Sequence, residues 1–231
     1  LLNFNVMRYD QANLSSATNL GNIGGGLIFV STISNDGQWL VANHCGCYSE
    51  CGSENLWHLP TLSQISSPLS FPIGGLDFSP DSTHLVLGQW QMFGYQESAL
   101  YTAGSDLSSP TAIYYLAGTA PIRQEWSPDG ARIAFTLARI DPAEMSITER
   151  MVIITSANGH EQQLVDSGTA EFLAWSPDSS RLLYSLESGG ARAVFMYDIE
   201  TGVKTLLHFN IDDYSNSAVD WGSLSAGDLG L

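Results

Sequence analysis

Chemistry in this chain can come from three places: evenly spaced carboxylates, a knot of cysteines and an aromatic loop. Asp77, Glu125 and Asp220 each stand directly before an aromatic residue, namely Phe78, Trp126 and Trp221. Brought together, such carboxylates would hold Ca²⁺ or another hard cation that prefers oxygen ligands. They would equally serve as acid and base groups for glycoside chemistry. The plainer reading is hydrogen bonding to neighbouring backbone and solvation by water, with no resident cofactor. Cys45, Cys47 and Cys51 sit close together, with His44 beside them and His58 near in sequence. Thiolates and imidazoles can hold Zn²⁺, but no Cys-x-x-Cys pair occurs. A disulfide pinning a hairpin tip in an oxidising compartment is the expectation, with one thiol left over.

Trp90, Met92, Phe93 and Tyr95 crowd the third place, a short stretch flanked by Gln89 and Gln96. On an exposed loop these side chains make a contact surface for a protein or for sugar rings. The competing reading folds Trp90 and Phe93 back over their own strands. A further stretch, Arg139 to Arg150, mixes charges and reads as a solvated loop. No Gly-x-Ser-x-Gly elbow is present, and the glycine triplet at 24–26 does not join a strand to a helix.

Composition narrows the partners. Eight Lys and Arg face 24 Asp and Glu, a formal net charge of −16, and Lys204 is the sole lysine. Such a balance weighs against nucleic acid, whose affinity rests on cations meeting phosphates, and against anionic membrane surfaces. No apolar stretch approaches the length of a membrane-spanning helix, so no membrane insertion is expected. The chain opens at Leu1 rather than Met, as a mature or partial chain would.

The elements that position these residues come from a repeat. Phe78-Ser79-Pro80-Asp81-Ser82 returns as Trp126-Ser127-Pro128-Asp129-Gly130 and as Trp175-Ser176-Pro177-Asp178-Ser179, with the aromatics 48 and 49 residues apart. Weaker copies occur at Ile33-Ser34-Asn35-Asp36-Gly37 and at Asp220-Trp221-Gly222. Ser-Pro-Asp-Gly is a turn: Pro presets φ, Asp bonds its own backbone and Gly accepts positive φ. The copies ending in Ser82 and Ser179 lack that glycine. An apolar run follows each turn, then a third strand and a weaker fourth. Four short strands repeated at this interval predict blades of a β-propeller.

The Trp-Ser-Pro-Asp-Gly core resembles the WD40-like repeat of the periplasmic TolB family, seen also in the propellers of prolyl-oligopeptidase-type peptidases. The resemblance implies an all-β propeller of four-stranded antiparallel blades, at about 26–73, 74–120, 121–169 and 170–217. A fifth blade would be shared between 1–25 and 218–231; the competing reading is part of a six- or seven-bladed ring. Equivalence of the repeats sets Thr32, Asp77, Glu125, Ala174 and Asp220 around the central channel. It puts the short Ser-Pro-Asp turns on one face and the long, dissimilar loops on the other. The implied function is a non-catalytic scaffold that binds another protein in the periplasm or outside the cell. Two alternatives are a carbohydrate-binding or carbohydrate-active propeller, and the gating propeller of a peptidase without its catalytic domain.

Overall fold

A computed structural model describes residues 3–10, 13–25, 27–45, 51–65, 73–89, 98–141, 143–144, 146–188 and 191–209. All regular structure among them is β. Four sheets of four antiparallel strands follow one another, each ordered as its strands occur in the chain. The N-terminal hairpin is β1 (Asn3–Asp10) with β2 (Asn13–Gly25). Blade 1 is β3 (Leu27–Ile33), β4 (Trp39–Cys45), β5 (Cys51–His58) and β6 (Ser63–Ile65). Blade 2 is β7 (Ile73–Phe78), β8 (His84–Gln89), β9 (Ala99–Gly104) and β10 (Thr111–Tyr115). Blade 3 is β11 (Thr119–Trp126), β12 (Arg132–Asp141), β13 (Ser146–Ser156) and β14 (Gln162–Asp166). Blade 4 is β15 (Glu171–Trp175), β16 (Arg181–Ser188), β17 (Ala191–Asp198) and β18 (Lys204–Phe209). This is the architecture of propeller blades. The segment 218–231, assigned above to a fifth blade, lies outside the described residues.

Hydrophobic pattern explains which strand goes where. A second strand has a blade on each side, so it reads as an unbroken apolar run rather than an alternating one. In β12 the six residues from Ile133 to Ala138 are all buried, and in β8 the five from Leu85 to Gln89. Fourth strands lie at a sheet edge, and β14 accordingly buries only Val165. The core is therefore not one mass but layers between blades. Val41 and Leu56 meet Phe78, Leu85 and Leu87; Val86 and Leu100 meet Trp126, Ile133 and Phe135; Val152 and Ile154 meet Phe172, Trp175 and Tyr184. Phe78, Trp126 and Trp175 each close the layer against the blade before them.

One turn repeats four times. The hydroxyls of Ser34, Ser79, Ser127 and Ser176 donate to Oδ1 of Asp36, Asp81, Asp129 and Asp178 at 2.6–2.7 Å. Each hydroxyl also accepts the first amide of the second strand at 2.9 Å, from Trp39, His84, Arg132 and Arg181. The same Oδ1 accepts an amide two residues on, from Gln38, Thr83, Ala131 and Ser180. Turns between third and fourth strands dock on this face: amides of Leu59, Ser105, Ala157 and Ile199 donate to carbonyls of Gln38, Thr83, Ala131 and Ser180.

The residue after each Asp takes left-handed backbone whether or not it is glycine. Gly37, Ser82, Gly130 and Ser179 have φ of 67°, 61°, 70° and 61°. A non-glycine residue there is strained by about 1–2 kcal/mol. Both serines are buried and offset that strain across the blade boundary. Ser82 Oγ accepts the amide of Asp36 at 3.1 Å, and Ser179 Oγ that of Asp129 at 2.9 Å. The missing glycines of the sequence are thus inter-blade ties. Ser179→Ala keeps the strain and loses the bond, so it should destabilise the fold by about 1–2 kcal/mol. Ser179→Gly loses the bond but relieves the strain and should lie near wild type in urea unfolding. Ser179→Ala level with wild type would show that the hydroxyl contributes nothing.

Candidate functional site

Three regions can carry function: the inner-strand ring, the long-loop face and the turn face. In the ring, the repeats do place equivalent residues in equivalent positions. Thr32, Asp77, Glu125 and Ala174 pair with Val41, Val86, Ala134 and Leu183, the third residue of each second strand. Asp77 reaches sideways into blade 3, where its Oδ2 accepts the Trp126 amide at 2.9 Å. Burial raises the Asp77 carboxyl to about 6, outweighing the amides of Trp126 and Phe78 that favour its charged form. Glu125 holds the matching place in blade 3, and its carbonyl accepts the Trp175 indole at 3.2 Å. Asp220, the third carboxylate expected in the ring, lies outside the described residues. Among those described, no three His, Cys, Asp or Glu converge.

Each inner strand also carries one bulge, which strands a backbone group from the ladder. In β15 the bulge falls at Leu173, between the paired Phe172 and Ala174. The Arg123 guanidinium donates to the Leu173 carbonyl at 3.0 Å, a tie between blades 3 and 4 that the spacing of motifs did not show.

On the long-loop face, Cys45 and Cys51 are cross-strand partners of β4 and β5. Directly opposed Cα atoms lie about 4.5–5.5 Å apart, within the span of a disulfide. Cys47 lies outside the described residues. His58, close in sequence, is not close in space. It pairs with Trp39 at the other end of the hairpin, about 23 Å along the strand from Cys51 at ~3.3 Å per residue. There its Nδ1 bonds Thr61 Oγ1 at 2.7 Å and its ring lies 4.8 Å from that of Trp39. A zinc site that combines it with Cys45 and Cys51 is excluded.

The aromatic set Trp90, Met92, Phe93 and Tyr95 lies outside the described residues. The charged stretch from Arg139 is not a loose loop. The ladder of β12 and β13 continues to Asp141 opposite Ser146, past the start of the inner strand, where Thr119 faces Arg139. Arg139 and Glu149 pair across it at 3.0 Å, and Ile147 stands 40% exposed. Of the mixed charges, Arg139 and Glu149 face each other across the hairpin and remain partly exposed.

No family model matches the chain, and no curated protein matches it. Solved structures do. A putative TolB from Agrobacterium tumefaciens is 16% identical over 84% of this chain and 65% of its own, with a TM-score of 0.58. An oligogalacturonate lyase in complex with manganese is 19% identical over 85% of this chain and 57% of its own, TM-score 0.58. A prolyl endopeptidase is 14% identical over 79% of this chain and 30% of its own, TM-score 0.56. The chain spans less than two thirds of the length of each. The fold is a β-propeller of the TolB-like type.

Asp77 makes a test of the ring. Its carboxyl is raised in the fold above the ordinary 3.8, so the folded chain holds this proton more tightly than the unfolded one. Stability from that proton is complete below about pH 3.8 and is lost as pH rises through 6. Asp77→Asn keeps an acceptor for the Trp126 amide and cannot ionise. Thermal melts should show it level with wild type at pH 4 and more stable at pH 8, by up to about 3 kcal/mol. A less stable variant at pH 8 would show that the charged amide bond outweighs burial.

Proposed function

We propose that this propeller is a scaffold that binds a protein partner through its long-loop face, outside the cytoplasm. The observation that supports it is the contrast between the two faces. Polar groups of the turn face are largely spent on their own backbone and on the neighbouring blade. The opposite face carries the β12–β13 hairpin beyond its blade, tipped by exposed Ile147 and by Asp141 and Glu144. Beside it in the repeat order come the aromatic stretch of blade 2 and the Cys45–Cys51 pair of blade 1. An apolar residue in a charged, projecting rim is what an interface presents. The strong acidity favours a partner with a basic surface. Among the described residues no helix is long and apolar enough to cross a membrane. The extracytoplasmic setting is supported by the TolB-like fold and by the backbone pairing of Cys45 with Cys51, which a disulfide could span.

The test compares faces. Ile147→Asp, Trp90→Ala and Phe93→Ala should each lower capture of the native partner at least tenfold, while Thr83→Ala on the turn face leaves it unchanged. Loss from Thr83→Ala with the loop variants unaffected would reverse the assignment.

A second reading draws on Asp77. A carboxyl raised to about 6, with Glu125 at the matching place of blade 3, suits acid–base chemistry on a glycan. Turnover of a polysaccharide panel that Glu125→Gln abolishes would support it; no turnover of any member would sink it.

A further inference from the structure

The turn face holds a cleft between blades 2 and 3 of about 560 Å³, lined by Asp81, His84, Ile113, Trp126, Asp129 and Asn158. It coincides with a break in the pattern of inter-blade ties. At the boundaries of blades 1 and 2 and of blades 3 and 4, Ser82 and Ser179 reach back to the Asp amide of the preceding turn. At the boundary between them the same position is Gly130, so no hydroxyl reaches the amide of Asp81. A Cβ built on Gly130 would meet only Pro80, at 3.7 Å, so the space is open.

The groups around that space are of three kinds. Asp81 uses Oδ1 for Ser79 and Thr83, which leaves Oδ2 as an uncommitted acceptor and its amide as an uncommitted donor. Asn158 uses Oδ1 for Ser156 and the His160 amide, which leaves its Nδ2 donors. His84 bonds Thr83 through Nδ1 and keeps Nε2. Ile113 and Trp126 supply apolar wall. Hydrogen bonds from Ser79 and Thr83 hold the Asp81 carboxyl down at about 2, and Asp129 is lowered too, so both stay charged.

From this set we infer that the cleft is a binding site for a neutral sugar, a mono- or disaccharide. An anion is repelled by the two carboxylates. A simple cation satisfies them but leaves the amide and the Asn158 donors unmet. A ring of hydroxyls donates to Asp81 Oδ2 and accepts from those donors, while its C–H face lies on apolar wall. The volume falls in the range of small-molecule sites, about 300–1,000 Å³. The site lies on the opposite face from the protein-binding surface and does not depend on it.

Gly130→Ser narrows the cleft and occupies the Asp81 amide with a residue the fold already accepts at this backbone position, as Ser82 and Ser179 show. Saturation-transfer NMR with glucose, galactose, N-acetylglucosamine and their disaccharides reads the outcome on the full chain. Galacturonate and arginine methyl ester serve as the charged probes. At least one neutral sugar should bind wild type, and Gly130→Ser should weaken it at least tenfold with no fall in melting temperature. Asn158→Ala, which removes donors without filling space, should weaken the same sugar. The inference is overturned if no neutral sugar binds, if only a charged probe binds, or if both variants bind as wild type does.

Discussion

Everything in this fold hangs on one short hydrogen bond, from a serine hydroxyl to the aspartate two residues on in the same turn. The serine hydroxyl has one proton and two lone pairs, and the turn uses the proton and one pair. The proton goes to the carboxylate, and a lone pair takes the first amide of the next strand. That fixes the register of the inner and second strands. Register decides which face of each strand is apolar, because a slip of one residue sends every side chain to the other side. The carboxylate in turn pins the amide next to the serine that reaches the neighbouring blade. A local turn thereby sets a long-range contact.

The layers between blades then supply most of the stability. Each contains one motif aromatic, Phe78, Trp126 or Trp175, set by the turn that follows it. Their surroundings differ in one respect. The Trp175 indole donates to the Glu125 carbonyl, whereas the buried Trp126 indole N–H meets no acceptor among the described residues. The junction of blades 2 and 3 is thus short of two bonds that the junction of blades 3 and 4 possesses. Asp77 returns one, from the inner strand, through the Trp126 amide.

Much of the architecture was legible because the repeat carries its physics locally: a turn, an aromatic and an apolar run. What failed were inferences from nearness in sequence. His58 follows Cys51 by seven residues, yet extended backbone carries it to the other end of its hairpin. Arg139 and Glu149 looked like solvated charges because opposite signs ten residues apart have no helical meaning; across a hairpin they face each other. Ser82 and Ser179 read as defective turns. Their left-handed backbone is bound to the neighbouring blade, a relation that no single repeat contains. Arg123 was invisible for the same reason, since its acceptor is a carbonyl exposed by a bulge fifty residues on.

The alternation of serine and glycine after the turn aspartate has a consequence for where neighbouring blades are fastened. Blades joined by identical contacts would yield anywhere. Here the boundary at Gly130 lacks the turn-face tie its flanking boundaries have. What holds blades 2 and 3 together lies instead near the axis, where β11 packs on β7 and β8 and Asp77 takes the Trp126 amide. A single glycine thus moves the fastening of one joint from the rim to the hub.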